Sequence, residues 1–197
     1  ETKDIGIKPT PTIGGVGLIK NYKKMITMDF KEIDNIVLVI GKTEGHIDQS
    51  LLSRIILNEN NGPPPEVNLF NEKNNGLTLL NLIEKNFIKS AHDVSLGGII
   101  TALSKMCIKG NKGIQIKKPK FLINEIEYFF AEDQGRYLIE INPKDLKEVS
   151  KILDKNSVHY DEIGKIIDKE MIIDQKTKLT IDELKSYNTN WLKSYMV

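Results

Sequence analysis

The sequence has few of the residues that build disulfides, zinc sites and histidine-rich metal centres. It contains one cysteine and three widely spaced histidines in 197 residues. A single cysteine excludes an internal disulfide and a zinc site formed by several cysteines. We therefore expect Cys107 to be a buried apolar filler. No HExxH sequence and no GxxxxGK[ST] phosphate loop occur, so these signatures of zinc proteases and P-loop nucleotidases are missing.

An excess of one charge and long apolar runs are missing as well. The 28 Lys and Arg residues nearly balance the 27 Asp and Glu residues, and the formal net charge is +1. This balance provides no broad positive field for nucleic acid or for an acidic membrane surface. No apolar run reaches membrane-spanning length, and no signal peptide is visible. We expect a cytoplasmic globular protein with neither nucleic-acid nor membrane partners.

What is present is a mixture of strand and helix patterns without regular βαβ alternation. Alternating or β-branched runs predict strands at residues 12–20, 36–40, 113–116, 137–141, 160–167, 171–173 and 179–181. Helical spacing predicts helices at 50–57, 71–84, 98–109, 142–153 and 182–197. Residues 123–129 fit either type. The fold class is therefore α+β, a compact domain with a mixed sheet.

Two of these helices carry further expectations about their ends and faces. Gly110 is a C-cap signal for the helix at 98–109. The last helix is expected to pack four apolar side chains against the body of the domain, namely Leu184, Tyr187, Trp191 and Leu192.

The run 90–100 is the densest group of polar and glycine residues between two apolar helical patterns. It holds an imidazole, a carboxylate, a hydroxyl and two glycines, in the order His92, Asp93, Ser95, Gly97 and Gly98. The pattern predicts a loop that leads into a helix N-terminus, where free backbone N–H groups can meet an anion. Asp93 is then able to hold a Mg²⁺ that bridges phosphate oxygens.

The same run also has a purely structural interpretation. Asp93 or Ser95 can simply cap the helix that follows. Gly97 and Gly98 can simply allow that helix to pack closely on a sheet. Short motifs often match by chance, so the residue types alone favour this structural alternative.

A second polar run follows an aromatic pair and leads into a strand. In it, Glu132 or Asp133 is able to hold a cation, Gln134 to fix a substrate amide, and Arg136 to clamp a phosphate. The alternative is a turn before a strand in which Arg136 pairs with a nearby carboxylate, because turns are rich in these residue types.

A third run, residues 41–50, lies between a predicted strand and a predicted helix. His46 stands near Asp48 and is a candidate general base. A surface histidine without a chemical role is the alternative. The prolines at 63–65 predict a rigid surface loop in preference to a polyproline docking segment.

These three runs and two further segments stand in a specific order and spacing. The segments are 9–19 (PTPTIGGVGLI), 41–50 (GKTEGHIDQS), 62–69 (GPPPEVNL), 91–98 (AHDVSLGG) and 130–137 (FAEDQGRY). Together they resemble the C-terminal end of phosphoribosylformylglycinamidine synthases, the large synthetase subunits of purine biosynthesis. The resemblance covers nearly the whole chain.

The resemblance implies a fold, a reaction and partners. Such synthetases have two pseudo-symmetric halves, each with a barrel-forming N-terminal domain and a three-layer α/β/α C-terminal domain. Residues 1–30 would be the tail of the preceding domain, with a stray strand, and residues 31–197 the C-terminal domain. The reaction uses ATP and Mg²⁺ to join glutamine-derived ammonia to formylglycinamide ribonucleotide. The implied partners are the rest of the synthetase chain, a glutaminase subunit and a small bridging subunit.

Site roles follow from the resemblance by pseudo-symmetry. In the first half of these enzymes, the residue matching Asp93 holds Mg²⁺, and a run matching Glu132, Asp133 and Gln134 contacts the substrate. The same symmetry implies a substrate or nucleotide site here that includes Ser95, Gly97, Gly98 and Arg136. The resemblance assigns no catalytic residue to this chain, because the catalytic histidines and the ATP-contacting lysine belong to the first half. We therefore expect the chain to be inactive alone.

Three departures and two alternatives accompany the resemblance. Leu96 and Asn68 stand where the family has Asp, and Asp48 stands where it has Gly. Another superfamily member, of the selenophosphate synthetase or hydrogenase-maturation type, is one alternative. A binding module without chemistry is the other. The strand at 12–19 would lack its barrel neighbours, so we expect it to be disordered or to pair with a second copy in a homodimer.

Overall fold

A central seven-stranded sheet organises the chain in the computed structural model, which describes residue 6 and residues 11–119, 123–175 and 177–196. The strands are β1 (Ile36–Ile40), β2 (Ile88–Asp93), β3 (Gly113–Ile116), β4 (Tyr137–Ile141), β5 (Tyr160–Ile167), β6 (Glu170–Ile173) and β7 (Thr177–Thr180). The helices are α1 (Leu69–Glu84), α2 (Gly98–Gly110), α3 (Glu125–Phe130), α4 (Leu146–Lys155) and α5 (Ile181–Tyr195). A π-helical segment covers Leu52–Ile56.

The strand order is β2-β4-β1-β5-β3-β6-β7. β1 pairs antiparallel with both β4 and β5, whereas β3 and β6 pair parallel, so the sheet is mixed. All residues of β1 are buried, as a continuous β-branched and leucine run predicts for a central strand covered on both faces.

Two separate hydrophobic cores lie on opposite faces of the sheet. One core receives Leu82 from α1 and Leu153 from α4, together with alternate residues of β1. The other receives Leu103 from α2, Phe129 from α3 and Leu184 from α5. The side chains of a strand alternate between the two faces, so β1 supplies both cores. The predicted three-layer α/β/α architecture is thereby confirmed.

Most predicted elements are confirmed, with three local corrections. Residues 88–93 form a strand, β2, where the sequence pattern predicted a loop, so the loop before α2 is shorter than expected. The ambiguous segment at 123–129 contains α3. The predicted helix at 50–57 is mainly a π-helical segment.

The prediction of a strand at residues 12–20 is wrong for the structure that this chain forms by itself. Residues 11–19 have no regular secondary structure, and the side chains of Ile13 and Leu18 are 91% and 99% exposed. An isolated strand leaves its backbone N–H and C=O groups without partners, so it needs a neighbour to form. Residues 1–5 and 7–10 of the predicted tail lie outside the described residues.

The predictions for the helix ends are only partly correct. Leu184 packs into a core, but the side chains of Tyr187, Trp191 and Leu192 are exposed. The predicted end of the last helix, Val197, lies outside the described residues. α2 includes Gly110, and its C-cap is Asn111 with φ +49°.

Cys107 is buried, as expected, and burial raises the pKa of its thiol to about 12.

Across the described ranges, none of the helices combines the length and the apolar composition needed to cross a membrane.

Candidate functional site

Three loops meet at one end of the sheet because of the strand register. Ile40, the last residue of β1, and Asp93, the last residue of β2, both pair with Tyr137, the first residue of β4. The segments beyond these residues therefore converge. We call them the β1 loop (residues 41–51), the β2 loop (residues 94–97) and the β4 turn (residues 131–136).

The N-terminus of α2 packs directly on the backbone before and within the β4 turn. Gly97 and Gly98 have φ values of +81° and +69°, a backbone conformation that favours glycine. A Cβ at Gly98 would lie 2.6 Å from the carbonyl oxygen of Phe129 and 2.7 Å from that of Ala131. Gly98 therefore allows the helix N-terminus to lie against the backbone of residues 129–131, whereas the structural interpretation of the sequence placed the close contact of both glycines on a sheet.

Glu132 accepts hydrogen bonds from two of the converging segments. Its Oε1 atom accepts the N–H of Leu51 and the N–H of Gly97, each at 2.8 Å. Its own N–H donates to the carbonyl oxygen of His46 at 3.1 Å. The carboxylate thus stands at the beginnings of the π-helical segment and of α2, where N–H groups have no intrahelical partner.

Asp133 is buried and accepts hydrogen bonds from three successive residues of the β1 loop. The N–H groups of Glu44 and Gly45 donate to Oδ2 at 3.0 and 3.1 Å, and that of His46 donates to Oδ1 at 3.2 Å. Successive N–H groups of this kind form a cradle for an anion. In this domain the anion is the protein's own carboxylate.

The guanidinium of Arg136 is fully buried and bound within the chain. Its Nε donates to the carbonyl oxygen of Asp133, its Nη2 to that of Ala131, and its Nη1 to the hydroxyl of Thr43. Burial lowers the pKa of Arg136, and the neighbouring Asp133 carboxylate opposes that effect. Arg136 therefore pairs with a nearby carboxylate, as one of the two sequence interpretations predicted. The pair lies inside the protein and not on its surface.

Asp93, Ser95 and Gln134 remain accessible at the same place. The Asp93 side chain is 63% exposed, and Ser95 and Gln134 are exposed as well. His92 is nearly buried, and its Nδ1 lies 3.0 Å from Asp93 Oδ1. The Nε2 atom of His92 has no hydrogen-bond partner among the described residues.

Two adjoining cavities lie against these loops. The first, of about 350 Å³, is lined by residues that include Asp93, Ser95 and Glu132. The second, of about 540 Å³, lies against the β1 loop and α1. Glu72 and the Gln134–Gly135 segment line both cavities and form a shared wall.

The first cavity is electrostatically negative. Glu72, Asp93 and Glu132 line it, and the one lining cation, Arg136, is already bound within the chain. Burial, followed by the Glu72 and Asp93 carboxylates, raises the pKa of the Tyr137 phenol. A phosphate group would therefore need a bound cation to approach this wall.

The fold thus brings the predicted residues 93–98 and 132–136 together. It does not form the suggested His46–Asp48 general-base pair: His46 Nε2 lies 2.9 Å from the carbonyl oxygen of Pro63 instead. Within the described part of the chain, no group of three His, Cys, Asp or Glu side chains is arranged to hold a metal ion.

The sequence analysis missed the contribution of α1. Glu72 lines both cavities, and Asn75 Nδ2 donates to the carbonyl oxygen of Gly135 at 2.9 Å. These residues sit in an ordinary helical pattern, about sixty positions from the β4 turn. No local signal marked them, because their role depends on how the helix packs.

Comparison with known proteins places this chain in a family. Residues 32–175 match the model of "AIR synthase related protein, C-terminal domain". The chain is 69% identical over 196 residues to the phosphoribosylformylglycinamidine synthase subunit PurL of Pelagibacter ubique. It is 37% identical over 196 residues to that of Bartonella henselae. Both alignments cover 100% of this chain, but only 27% and 26% of those relatives.

Solved structures show the same fold at low sequence identity. A Thermotoga maritima PurL complexed with FGAR has a TM-score of 0.68 and 17% identity, covering 82% of this chain and 29% of that one. The Escherichia coli hydrogenase maturation protein HypE has a TM-score of 0.58 and 15% identity, covering 79% of this chain and 52% of that one. The family model matches most of this chain, and the PurL alignments run over its whole length. We conclude that the chain belongs to the family of AIR synthase related protein C-terminal domains.

Proposed function

We propose that this chain is the C-terminal domain of a phosphoribosylformylglycinamidine synthase, an ATP-dependent carbon–nitrogen ligase of purine biosynthesis. The observation that carries the proposal is the 69% identity with a PurL subunit over 196 residues. The complete enzyme would join glutamine-derived ammonia to formylglycinamide ribonucleotide with ATP. This chain spans 27% of that relative, so it would supply one wall of a site that needs other domains.

In this proposal Asp93, Ser95 and Gln134 face the ligand. Asp93 would hold Mg²⁺, and the ion would supply the positive charge that a phosphate group needs to approach this negative wall. A single exposed carboxylate fits this ion, because Mg²⁺ commonly binds through one or two carboxylates together with phosphate oxygens and water. The near-buried His92, 3.0 Å from Asp93, limits how far that carboxylate can turn. The exposed Gln134 amide stands on the wall that the two cavities share.

The other predicted site residues support the loops in this proposal. Gly97 and Gly98 bring the N-terminus of α2 close to the β4 turn. Asp133 and Arg136 are buried and hydrogen-bonded to backbone groups. No catalytic residue is assigned to the chain, which should be inactive alone.

The proposal also includes partners and a location. The rest of the synthetase chain, a glutaminase subunit and a small bridging subunit would complete the enzyme in the cytoplasm. A solved structure described as PurLQS from Thermotoga maritima supports association, with a TM-score of 0.62 to this chain.

A split-enzyme experiment tests the proposal. The complete synthetase would be produced as two polypeptides, this chain and the remainder, and assayed for formylglycinamidine ribonucleotide with ATP and ammonia. We expect activity only when both are present, and a large loss with Asp93→Ala. Asp154→Ala, on the exposed side of α4, is the matched control. Full activity of the remainder alone, or turnover by this chain alone, would contradict the proposal.

A further inference from the structure

Glu132 links the beginnings of two helices, of which the first also has a local cap, since Ser50 Oγ accepts the N–H of Ser53 at 3.2 Å. The π-helical segment and α2 begin after Leu51 and Gly97, and neither has a hydrogen bond from a side chain at its N-cap position. Glu132 Oε1 accepts the N–H of both N-cap residues at 2.8 Å. A carboxylate is favoured at a helix N-terminus because it meets free N–H groups and the positive end of the helix dipole.

The two helix beginnings belong to the loops that line different cavities. Gly97 follows Asp93, Ser95 and Leu96, which line the first cavity. Leu51 ends the β1 loop, of which Lys42 and residues 44–46 line the second. One oxygen atom therefore fixes the separation of the loops on either side of the shared wall.

Neighbouring contacts make this connection rigid. Asp133, the next residue, binds three N–H groups of the β1 loop. Gly98 lies against the carbonyl oxygens of Phe129 and Ala131, so the N-terminus of α2 has little freedom to move toward the β4 turn. A shift of Glu132 would move the β1 and β2 loops together.

We propose that Glu132 is a positioning residue that sets the distance between the β1 loop and the β2 loop through a single shared carboxylate oxygen. This inference deepens the proposed function, on which its ligand-binding consequence rests. A positioning role differs from direct contact between Glu132 and the substrate. Positioning requires an acceptor oxygen at this place and depends less on the negative charge of the side chain. Glu132→Gln keeps an acceptor oxygen, whereas Glu132→Ala removes it.

The first experiment needs no ligand. Hydrogen exchange of the Leu51 and Gly97 backbone amides would be followed by NMR in the 197-residue chain and its variants. In the unaltered chain we expect both amides to be protected, because each donates to Glu132 Oε1. Protection of both amides should fall roughly tenfold or more in Glu132→Ala and be largely retained in Glu132→Gln.

Glu148→Gln, which removes an exposed carboxylate on α4, is the matched control and should leave both amides unchanged. Unprotected Leu51 and Gly97 amides in the unaltered chain would overturn the inference, as would unchanged protection in Glu132→Ala. If Glu132→Ala fails to fold, Glu132→Asp decides the question: its shorter side chain should lower the protection of at least one of the two amides, and unchanged protection of both would overturn the inference.

The second experiment measures Mg·ADP affinity by calorimetry in the complete synthetase. Positioning predicts near-normal affinity for Glu132→Gln and at least tenfold weaker binding for a folded Glu132→Ala. Equal losses in both variants would instead indicate direct contact and overturn the inference. If Asp93→Ala leaves Mg·ADP affinity unchanged, the proposed nucleotide site fails, while the amide measurement still tests positioning.

Discussion

The Nε atom of Arg136 donates to the carbonyl oxygen of Asp133 at 3.0 Å, and its Nη1 atom lies 3.8 Å from the carboxylate of the same residue. Both side chains are buried, so each compensates for the loss of water around the other. This pair holds the β4 turn, and through it the β1 loop, in place.

Replacing Arg136 should therefore destabilise the domain. Arg136→Ala would leave the buried Asp133 carboxylate with its backbone N–H donors but without its cation, and should lower the free energy of unfolding by about 3–5 kcal/mol. Arg136→Lys keeps the charge but loses the planar fork, and we expect an intermediate loss. Urea unfolding measures both. Arg54→Ala, at the chain's other arginine, which is exposed, should change stability by less than about 0.5 kcal/mol. Similar losses at the two positions would contradict this account.

The backbone at Gly98 should not tolerate a methyl group. Gly98→Ala would place Cβ 2.6 Å from the carbonyl oxygen of Phe129 at a φ of +69°. We expect a loss of about 2 kcal/mol or more, because the left-handed conformation and the close contact both oppose the side chain. Gly76→Ala in the middle of α1 is the control, since its nearest neighbour would be 3.7 Å away. That change should stabilise the chain by about 0.5–1 kcal/mol. Thermal unfolding of both variants tests the difference, and a stable Gly98→Ala would refute it.

The pair formed by His159 and Asp161 should make stability depend weakly on pH. The side-chain hydrogen bond raises the pKa of His159 and lowers the pKa of Asp161. Because folding raises the pKa of His159, its contribution to the free energy of unfolding is complete below the pKa of the unfolded histidine, ~6.5. This contribution is lost as pH rises through the pKa of the folded histidine. Because folding lowers the pKa of Asp161, its contribution to the free energy of unfolding is complete above the pKa of the unfolded aspartate, ~3.9. This contribution is lost as pH falls through the pKa of the folded aspartate.

The contribution of this pair should thus be largest between about pH 4 and 6.5. The effect should be small because the His159 side chain is half exposed. Urea unfolding of the unaltered chain and His159→Gln at several pH values would reveal it. We expect the two stabilities to converge as pH rises above the histidine range. A constant difference at every pH would count against the assignment.

The exposed aromatic side chains of α5 should promote self-association of the chain when it is isolated. Tyr187, Trp191 and Tyr195 follow a spacing of four residues along one helix face and are 74%, 62% and 79% exposed. Sedimentation equilibrium should show mass rising with concentration. Trp191→Gln combined with Tyr195→Gln should reduce it, whereas Tyr22→Gln, at an exposed tyrosine outside α5, should not. A constant monomer mass would remove this prediction.

Much of the fold was determined locally by the sequence. The continuous apolar run of β1 and the alternation in β4 have the periods that strands impose on buried side chains. The helix predicted from residue 142 begins as a turn of 3₁₀ helix, in which the Asn142 side chain accepts the N–H of Lys144 and Pro143 stands at the start. These signals lie within a few residues of what they specify, so they can be read without knowing the tertiary structure.

The wrong predictions fall where a distant partner decides the outcome. Residues 12–19 have a strand pattern but no neighbouring strand in the described structure, so their pattern alone does not produce one. Residues 88–93 carry a polar sequence that resembles a loop, yet β4 provides the hydrogen-bonding partner that makes them β2. The Tyr187 and Trp191 side chains have helical spacing, but the described residues offer no surface against which they pack.

The candidate site shows the same division between features set by local sequence and features set by distant partners. The sequence by itself determined which segments carry its polar residues, because 93–98 and 132–136 could be identified from residue types and spacing. Only the tertiary structure decided what each side chain does. It buried Asp133 and Arg136 among backbone partners, left Asp93 and Gln134 accessible, and added Glu72 from α1. The physical reason is that burial and hydrogen bonding depend on groups far apart in the chain, which no local pattern contains.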